Sequence, residues 1–139
     1  MRLVLDSDIL SEILKGRSPK VERHKIAYVA QFQQLTFTSA SLLEILYGYE
    51  RLQAQAQIKR AEALFAVNEE LIPASEDYRL AAKMAGTLDR NGTTLGLIDP
   101  LFAACAIRRG YGVASGNTAH YEFIRKLGYT FHLENWRDQ

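Results

Sequence analysis

Residues 3–11 read LVLDSDILS, and this stretch decides the fold class. The segment Arg2–Leu5 is a short apolar run typical of a buried strand, and Ile9–Leu14 follows with helical spacing. A strand that leads directly into a helix is the unit from which α/β folds are built. Asp6 ends the apolar run, where a charged side chain is costly without a partner. The stretch therefore predicts an α/β fold with a functional carboxylate at the end of its first strand.

The same alternation of strands and helices continues along all 139 residues. Beyond the first strand, the predicted strands are Thr36–Thr38, Leu71–Pro73, Gly112–Ser115 and Tyr129–Leu133. The further predicted helices are Val21–Gln34, Ala40–Leu52, Ile58–Val67, a helix capped by Ser75 and running to Arg90, Pro100–Arg109 and Ala119–Leu127. We expect one domain over residues 1–139, with a central, mostly parallel sheet flanked by helices.

Composition and charge argue against three classes of protein: strongly basic nucleic-acid binders, secreted proteins and membrane-spanning proteins. The chain carries 17 Lys+Arg against 16 Asp+Glu, so it lacks the strong overall basicity of a protein that binds nucleic acid through charge alone. The first apolar run is too short for a signal peptide, and no segment approaches the roughly 20 apolar residues of a membrane span. The single cysteine, Cys105, lies in an apolar run and is expected to be a buried structural thiol. These features predict a cytoplasmic protein with no membrane partner.

Acidic and amide side chains follow the predicted strands. Asp6 and Asp8 come after the first strand, Glu44 lies one turn into the helix after the second, and Asn117 follows the strand Gly112–Ser115. Asp99 stands at the start of another helix. Parallel sheets place their sites at the carboxyl ends of the strands, so these side chains are expected to converge. Converging carboxylates repel one another unless a cation such as Mg²⁺ or Mn²⁺ lies among them.

Each of these residues also has a purely structural interpretation. Asp99 precedes Pro100, and an N-cap followed by proline explains that pair when it is considered alone. Three comparable alternatives remain open: Ser7 or Asp8 as the cap of the first helix, Ser41 and Glu44 as a capping box, and Asn117 as a turn residue.

Taken together, four stretches resemble one family. They are LVLDSDILS at 3–11, SLLEILYG at 41–48, GLIDPLFAA at 96–104 and SGNTAHY at 115–121. In this order they are similar to the strand–Asp start, the Glu-x-x-x-Gly helix, the Gly-x-x-Asp helix and the Thr-x-Asn segment of the PIN-domain ribonucleases. The likeness is greatest to the VapC-type toxins of bacterial toxin–antitoxin pairs, and it extends over nearly the whole chain.

The resemblance implies a catalytic set of Asp6, Glu44, Asp99 and Asn117. Asp6 and Asp99 would be the principal ligands of Mg²⁺ or Mn²⁺, and Glu44 would bind the metal directly or through water. Asn117 stands where many relatives carry a fourth acid, and His120 stands where some carry Asp. Whether Asp8, Asn117 or His120 takes the fourth site position stays open at this stage.

The implied activity is metal-dependent endonucleolytic hydrolysis of RNA by the toxin of a toxin–antitoxin pair. The implied partners are an RNA substrate, a small antitoxin protein and a second copy of the chain in a homodimer. Five cations after the first site segment are expected either to hold phosphates or to form a solvated helix face: Lys15, Arg17, Lys20, Arg23 and Lys25. Three tyrosines could stack on bases, although core packing is the expectation for them: Tyr47, Tyr49 and Tyr121.

Two other functions compete with this hypothesis. Asp6-Ser7-Asp8 matches the Asp-x-Asp start of haloacid-dehalogenase-type phosphotransferases, but those enzymes need Thr or Val where this chain has Leu10, and their later Gly-Asp-x-x-x-Asp is absent. The second competitor is a PIN-like scaffold that binds RNA or protein without catalysis. The presence of Asp6, Glu44 and Asp99 argues against it.

Overall fold

Five short parallel strands form the frame of the protein. In the computed structural model, which describes residues 1–138, they are β1 (Leu3–Leu5), β2 (Thr36–Thr38), β3 (Glu69–Leu71), β4 (Gly112–Ser115) and β5 (Leu133–Asn135). They pair in parallel as a three-stranded sheet, β1–β4–β5, and a two-stranded sheet, β2–β3. The predicted α/β class with parallel strands is confirmed.

Seven helices connect these strands within residues 1–138. They are α1 (Ser7–Lys15), α2 (Pro19–Phe32), α3 (Ser39–Glu50), α4 (Gln55–Val67), α5 (Ser75–Arg90), α6 (Ile98–Arg109) and α7 (Thr118–Lys126). In this part of the chain no helix is both long enough and apolar enough to cross a membrane.

Several predicted boundaries differ from the structure, and the contacts give a physical reason for three of them. The N-cap of α5 is Ala74 rather than Ser75, because the Asp77 side chain accepts the Ala74 N–H at 2.7 Å and Ser75 is already helical. Strand β3 ends at Leu71, before the predicted Pro73, because its pairing with β2 starts at Glu69. The last strand begins only at Leu133, since the chain pairs with β4 only after Phe131 has entered the core.

The three-stranded sheet β1–β4–β5 separates two apolar clusters. Alternate residues of β1 face opposite sides, so Leu3 and Leu5 pack in one cluster and Val4 in the other. The second cluster includes Cys105, which is fully buried as predicted, and burial raises the pKa of its thiol to about 11. Such a thiol is a packing group rather than a nucleophile.

The Tyr28 hydroxyl connects the two sheets. It accepts the Leu3 N–H at 3.2 Å and lies 2.9 Å from the Thr36 Oγ1. Because Leu3 begins β1 and Thr36 begins β2, this contact aligns the two strands side by side. Their carboxyl ends, which carry Asp6 and Thr38, therefore lie at the same edge of the molecule.

Candidate active site

The carboxyl ends of β1 and β4 open into a cavity of about 530 Å³. Its walls come from the starts of α1, α6 and α7, from one turn of α3, and from the C-terminal segment. The lining residues are Asp6, Ser7, Asp8, Glu44, Asp99, Phe102, Gly116, Asn117, His120 and Arg137. All four predicted catalytic residues therefore line one cavity, as do the other two candidates for the fourth position.

Asp6 has both a structural contact and a place in the cavity. Its backbone is extended, and its Oδ1 accepts the Ile9 N–H at 3.0 Å, so Asp6 itself is the N-cap of α1. The alternatives that Ser7 or Asp8 caps this helix are wrong, because both residues already have helical geometry. The second oxygen, Oδ2, accepts a hydrogen bond from the Tyr121 hydroxyl at 3.2 Å.

The buried position of Asp6 perturbs its ionisation. Only 4% of the residue is exposed, and burial is the main reason that the pKa of its carboxyl rises from 3.8 to about 6. Hydrogen bonds from Ser115 and from the Ile9 N–H lower this pKa, while the charges of Asp8 and Asp99 raise it further. A buried carboxylate beside two others is a position that a bound cation would stabilise.

Asp99 lies inside α6 rather than at its cap. The N-cap is Leu97, so Asp99 is the second helical residue, and the N-cap interpretation of Asp99 is wrong. Gly96, at a φ of 75°, precedes a helix that begins at Ile98, two residues earlier than Pro100 suggested. Asp99 is free of any capping bond and faces the cavity, where its Oδ2 lies 2.8 Å from the His120 Nδ1.

The Tyr121 hydroxyl lies between Asp6 and Asp99. It is fully buried, 3.2 Å from the Asp6 Oδ2 and 3.4 Å from the Asp99 Oδ1. Burial, followed by the charges of Asp6 and Asp99, raises the pKa of this phenol well above 10, so it remains a neutral donor. The expected core packing of Tyr121 is confirmed, but the sequence did not predict its hydroxyl at the site. The available signal was a hydroxyl-bearing aromatic residue at the end of SGNTAHY, one of the four stretches that carry the resemblance.

Glu44 is held by the hydroxyl of Ser7. Its Oε1 lies 2.6 Å from the Ser7 Oγ, which is itself 3.0 Å from the Ser41 Oγ. A carboxylate only accepts, so the Ser7 hydroxyl donates to Glu44 in the shorter of its two contacts, and the Ser41 hydroxyl lies beside it. The capping box of Ser41 and Glu44 is wrong, because α3 begins at Ser39 and Thr38 is its cap. Glu44 is exposed to solvent and positioned by side chains rather than by the backbone.

Arg137 brings a cation into the cavity, which the sequence did not predict. Its guanidinium lies 2.9 and 3.0 Å from the two oxygens of Asp8 and 3.2 Å from the Glu12 Oε1. Gly116 makes this pair possible, because a Cβ there would lie 2.6 Å from the Asp8 Oδ2. The charge of Asp8 is therefore already balanced, whereas Asp6, Glu44 and Asp99 have no cationic side chain of Lys or Arg beside them within residues 1–138.

Asn117 caps α7 through its backbone position alone. Its N–H donates to the Ser115 Oγ at 2.9 Å, and within residues 1–138 its side-chain amide makes no hydrogen bond. The amide is exposed at the mouth of the cavity, so it can reach a ligand there.

The sequence profile of the PIN domain matches residues 3–126. The chain belongs to the PIN-domain family. No curated protein matches it by sequence. Among solved structures, it resembles DNA-bound VapBC from Salmonella typhimurium, with 21% identity over 98% of each chain and a TM-score of 0.82. It also resembles DNA-bound VapBC2 from Rickettsia felis, with 18% identity over 98% of this chain and 99% of that chain and a TM-score of 0.80. A toxin–antitoxin complex from Klebsiella pneumoniae is similar at 15% identity and a TM-score of 0.64, over 86% of this PIN domain and 89% of that chain.

The predicted basic rim is only partly beside the cavity of this PIN domain. Lys15 and Arg17 line recesses that continue from it. The other three cations lie on α2: Lys20 donates to the Asp138 carbonyl at 3.3 Å, Lys25 lies 3.6 Å from Glu22, and Arg23 is exposed. For this second group the solvated-face interpretation fits.

The two remaining tyrosines differ in exposure. Core packing is wrong for Tyr47, which is 65% exposed. It holds in part for Tyr49, which packs against the first apolar cluster and also lines the recesses.

The donor set of the cavity fits a hard divalent cation. Asp6, Asp99 and Glu44 offer only oxygen atoms, and one hydroxyl spans the first two carboxylates. No three His, Cys, Asp or Glu side chains of residues 1–138 form a ready-made metal cluster. The arrangement therefore suits an ion held by two carboxylates and completed by water, in the way Mg²⁺ commonly binds.

Proposed function

We propose that this PIN domain is a Mg²⁺- or Mn²⁺-dependent endoribonuclease and acts as the toxin of a toxin–antitoxin pair. The observation that carries the proposal is the convergence of Asp6, Glu44 and Asp99 on one cavity, although they are separated in sequence by dozens of residues. Family membership and the fold shared with VapBC structures support the same assignment.

Two carboxylates would hold the metal. Asp6 and Asp99 are the proposed ligands, and Glu44 would contact the ion directly or through water. When bound, the ion supplies an activated water and neutralises charge on the phosphate under attack. The exposed amide of Asn117 would hold a phosphate oxygen at the mouth of the cavity.

Residues of the protein orient the acids and accept the proton of the attacking water. Ser7 holds one oxygen of Glu44 at 2.6 Å, which leaves its other oxygen free to orient the attacking water or to accept its proton. The neutral Tyr121 hydroxyl keeps a hydrogen bond on Asp6 and so fixes the orientation of that carboxylate. Asp6 itself is shielded from bulk water, since only 4% of the residue is exposed.

A cleavage assay on three charge-neutral variants tests the proposal. Asp6→Asn, Glu44→Gln and Asp99→Asn should each abolish cleavage of labelled RNA in Mn²⁺ while leaving the circular dichroism spectrum unchanged. Asp89→Asn is the matched control, since Asp89 is exposed on α5 and its side chain makes no hydrogen bond or ion pair within residues 1–138. Cleavage that survives all three changes would remove the catalytic assignment and favour an RNA- or protein-binding scaffold. A covalent aspartyl-phosphate on Asp6 would favour the phosphotransferase alternative instead.

We further propose two protein partners. The solved relatives include VapBC and toxin–antitoxin complexes, which supports a small antitoxin that places an Arg or Lys near the free carboxylates. Changing that antitoxin residue to Ala should weaken inhibition even if the complex still forms. The second partner is another copy of this chain, and light scattering at micromolar concentration should give twice the 15.7 kDa chain mass. A particle of 15.7 kDa would contradict the homodimer.

A further inference from the structure

A groove continues from the carboxylate cavity along α1 and α3. A recess of about 420 Å³ shares Ser7, Asp8 and Glu44 with the cavity. A further recess of about 260 Å³ shares Lys15 and Tyr49 with the first. We call these two recesses together the α1–α3 groove. A ligand that lies along the groove therefore reaches the cavity at Glu44.

The groove is basic where the cavity is acidic. Lys15 and Arg51 line its first part, and Arg17 and Arg60 line its second part. Within residues 1–138 none of these four side chains forms an ion pair or a hydrogen bond, whereas most of the arginines elsewhere are paired with acids. Arg51 is the C-cap of α3 and Arg60 lies on α4, and both are far in sequence from the predicted rim. Four cations without acidic partners along one path form a surface suited to a chain of phosphates.

The wall of the groove has apolar side chains and one position, Gly48, that carries no side chain. Tyr49 is half-buried and Leu52 is 68% exposed, which leaves two side chains against which bases can stack or pack. Gly48 lies between them and Glu44, one helical turn beyond Glu44 on the same face of α3.

Packing does not require a glycine at this position. A Cβ on Gly48 would have no heavy atom within 4 Å, and its φ is not in the left-handed region. A glycine inside a helix costs about 0.5–1 kcal/mol relative to alanine. What its missing side chain does provide is room in the groove beside the site.

We propose that the α1–α3 groove binds the single strand of RNA that leads away from the cleaved phosphodiester. Lys15 and Arg51 contact the phosphates nearest the site, Arg17 and Arg60 contact those beyond, and Tyr49 and Leu52 pack against bases. This inference rests on the proposed ribonuclease function and adds the path of its substrate. An acidic peptide has the same charge, but RNA is favoured because a polynucleotide in the groove delivers its next phosphate directly to Glu44 and Asp6.

RNA binding measured apart from cleavage tests this path. The probe is a fluorescein-labelled, mixed-sequence 20-nucleotide RNA, titrated in Ca²⁺ and followed by anisotropy at several salt concentrations. The paired changes Lys15→Gln with Arg51→Gln, and Arg17→Gln with Arg60→Gln, should each weaken binding at least tenfold. Each pair should also reduce the salt dependence by about 1.4 in the slope of log Kd against log salt, since a single strand loses about 0.7 per phosphate contact. Lys83→Gln with Arg90→Gln, which removes two exposed cations of α5, is the control and should change neither value beyond error.

A second set of variants tests the path without changing charge. Gly48→Leu should fill the groove and weaken RNA binding, whereas Gly48→Ala should bind RNA nearly as the parent does and unfold no more easily. Circular dichroism melts of both variants show whether the fold survives, so a binding loss with an unchanged melt is attributable to the blocked groove.

Three results would overturn the inference. The first is RNA affinity and salt dependence of the groove pairs equal to those of the α5 control pair. The second is undiminished binding by a folded Gly48→Leu protein. The third is a groove pair that loses affinity for a poly-glutamate peptide but keeps the RNA affinity of the parent. That result would assign the groove to an acidic protein segment. Failure of the ribonuclease proposal is seen separately, as absence of cleavage by the parent protein in Mn²⁺.

Discussion

Replacing Asp6 by Asn should make the metal-free protein more stable at neutral pH. The pKa of Asp6 rises from 3.8 to about 6 on folding, chiefly through burial. Because the folded pKa lies above the unfolded one, the stabilising, protonated form is complete below about pH 4 and is lost as the pH rises through 6. One pKa unit corresponds to about 1.4 kcal/mol, so the ionised carboxylate destabilises the fold by about 3 kcal/mol at pH 7.5. Asn lacks that charge and keeps an oxygen for the Ile9 N–H, so the helix cap survives.

Urea unfolding in chelator between pH 4 and pH 8 measures this difference. The free energy of unfolding of Asp6→Asn minus that of the parent should be near zero at pH 4 and should grow to at most about 3 kcal/mol by pH 7.5. The pKa values of Asp77 and Glu134 are lowered despite their burial, the first mainly by Arg109 and the second mainly by His132, so both add stability that is lost in acid. Their contributions are common to the two proteins and cancel in the difference. A difference that stays constant across this pH range would refute the burial argument for Asp6, and Asp89→Asn should show no difference at any pH.

Three further predictions follow from other contacts. Tyr121→Phe should keep the fold but weaken Mn²⁺ binding by about 10- to 100-fold in calorimetry, because it removes the hydroxyl that orients Asp6; unchanged affinity would limit Tyr121 to core packing. Asp77→Ala should cost about 3–5 kcal/mol in urea unfolding, because Asp77 is fully buried between Arg108 and Arg109; a loss below about 1 kcal/mol would contradict this. RNA cleavage should require Mg²⁺ or Mn²⁺, with little support from Ca²⁺, and full activity in chelator would exclude a metal mechanism.

The fold class could be predicted because it depends on local patterns of apolar and polar residues. The apolar runs at β1 and β4 and the spacing of α2 and α5 depend only on neighbouring residues, and the structure keeps all of them. Helix caps could not be predicted as well, because a cap depends on the φ and ψ of one residue rather than on its type. Asp6 and Thr38 are caps by geometry, although Ser7, Asp8 and Ser41 were equally good candidates by composition.

The candidate site also has a part that the sequence predicts and a part that it does not. Its acids could be predicted, Asp6 because it follows a parallel strand at the edge where sites form, and Glu44 and Asp99 because their motifs resemble the PIN-domain family. The groups that surround the acids could not, because each arrives through a long-range contact. Arg137 reaches Asp8 from the far end of the chain, and Arg51 and Arg60 reach Lys15 and Arg17 of the α1–α3 groove from the end of α3 and from α4. No local pattern distinguishes these arginines from solvated ones.

The balance of charge in the cavity links metal binding to pH. Arg137 neutralises Asp8, so the acids left for a cation are Asp6, Glu44 and Asp99. Burial raises the pKa of Asp6 to about 6, so below that pH a proton occupies the carboxylate that is the proposed metal ligand. A divalent ion and this proton then compete for the same oxygens, and binding at pH 5.5 should release about three-quarters of a proton while binding at pH 8 should release almost none. Calorimetry in buffers of different ionisation enthalpy counts those protons, and equal release at both pH values would show that Asp6 is not the ligand that titrates. On the proposed assignment, the cost of this buried carboxylate would be offset by the proton in acid and by the metal at neutral pH.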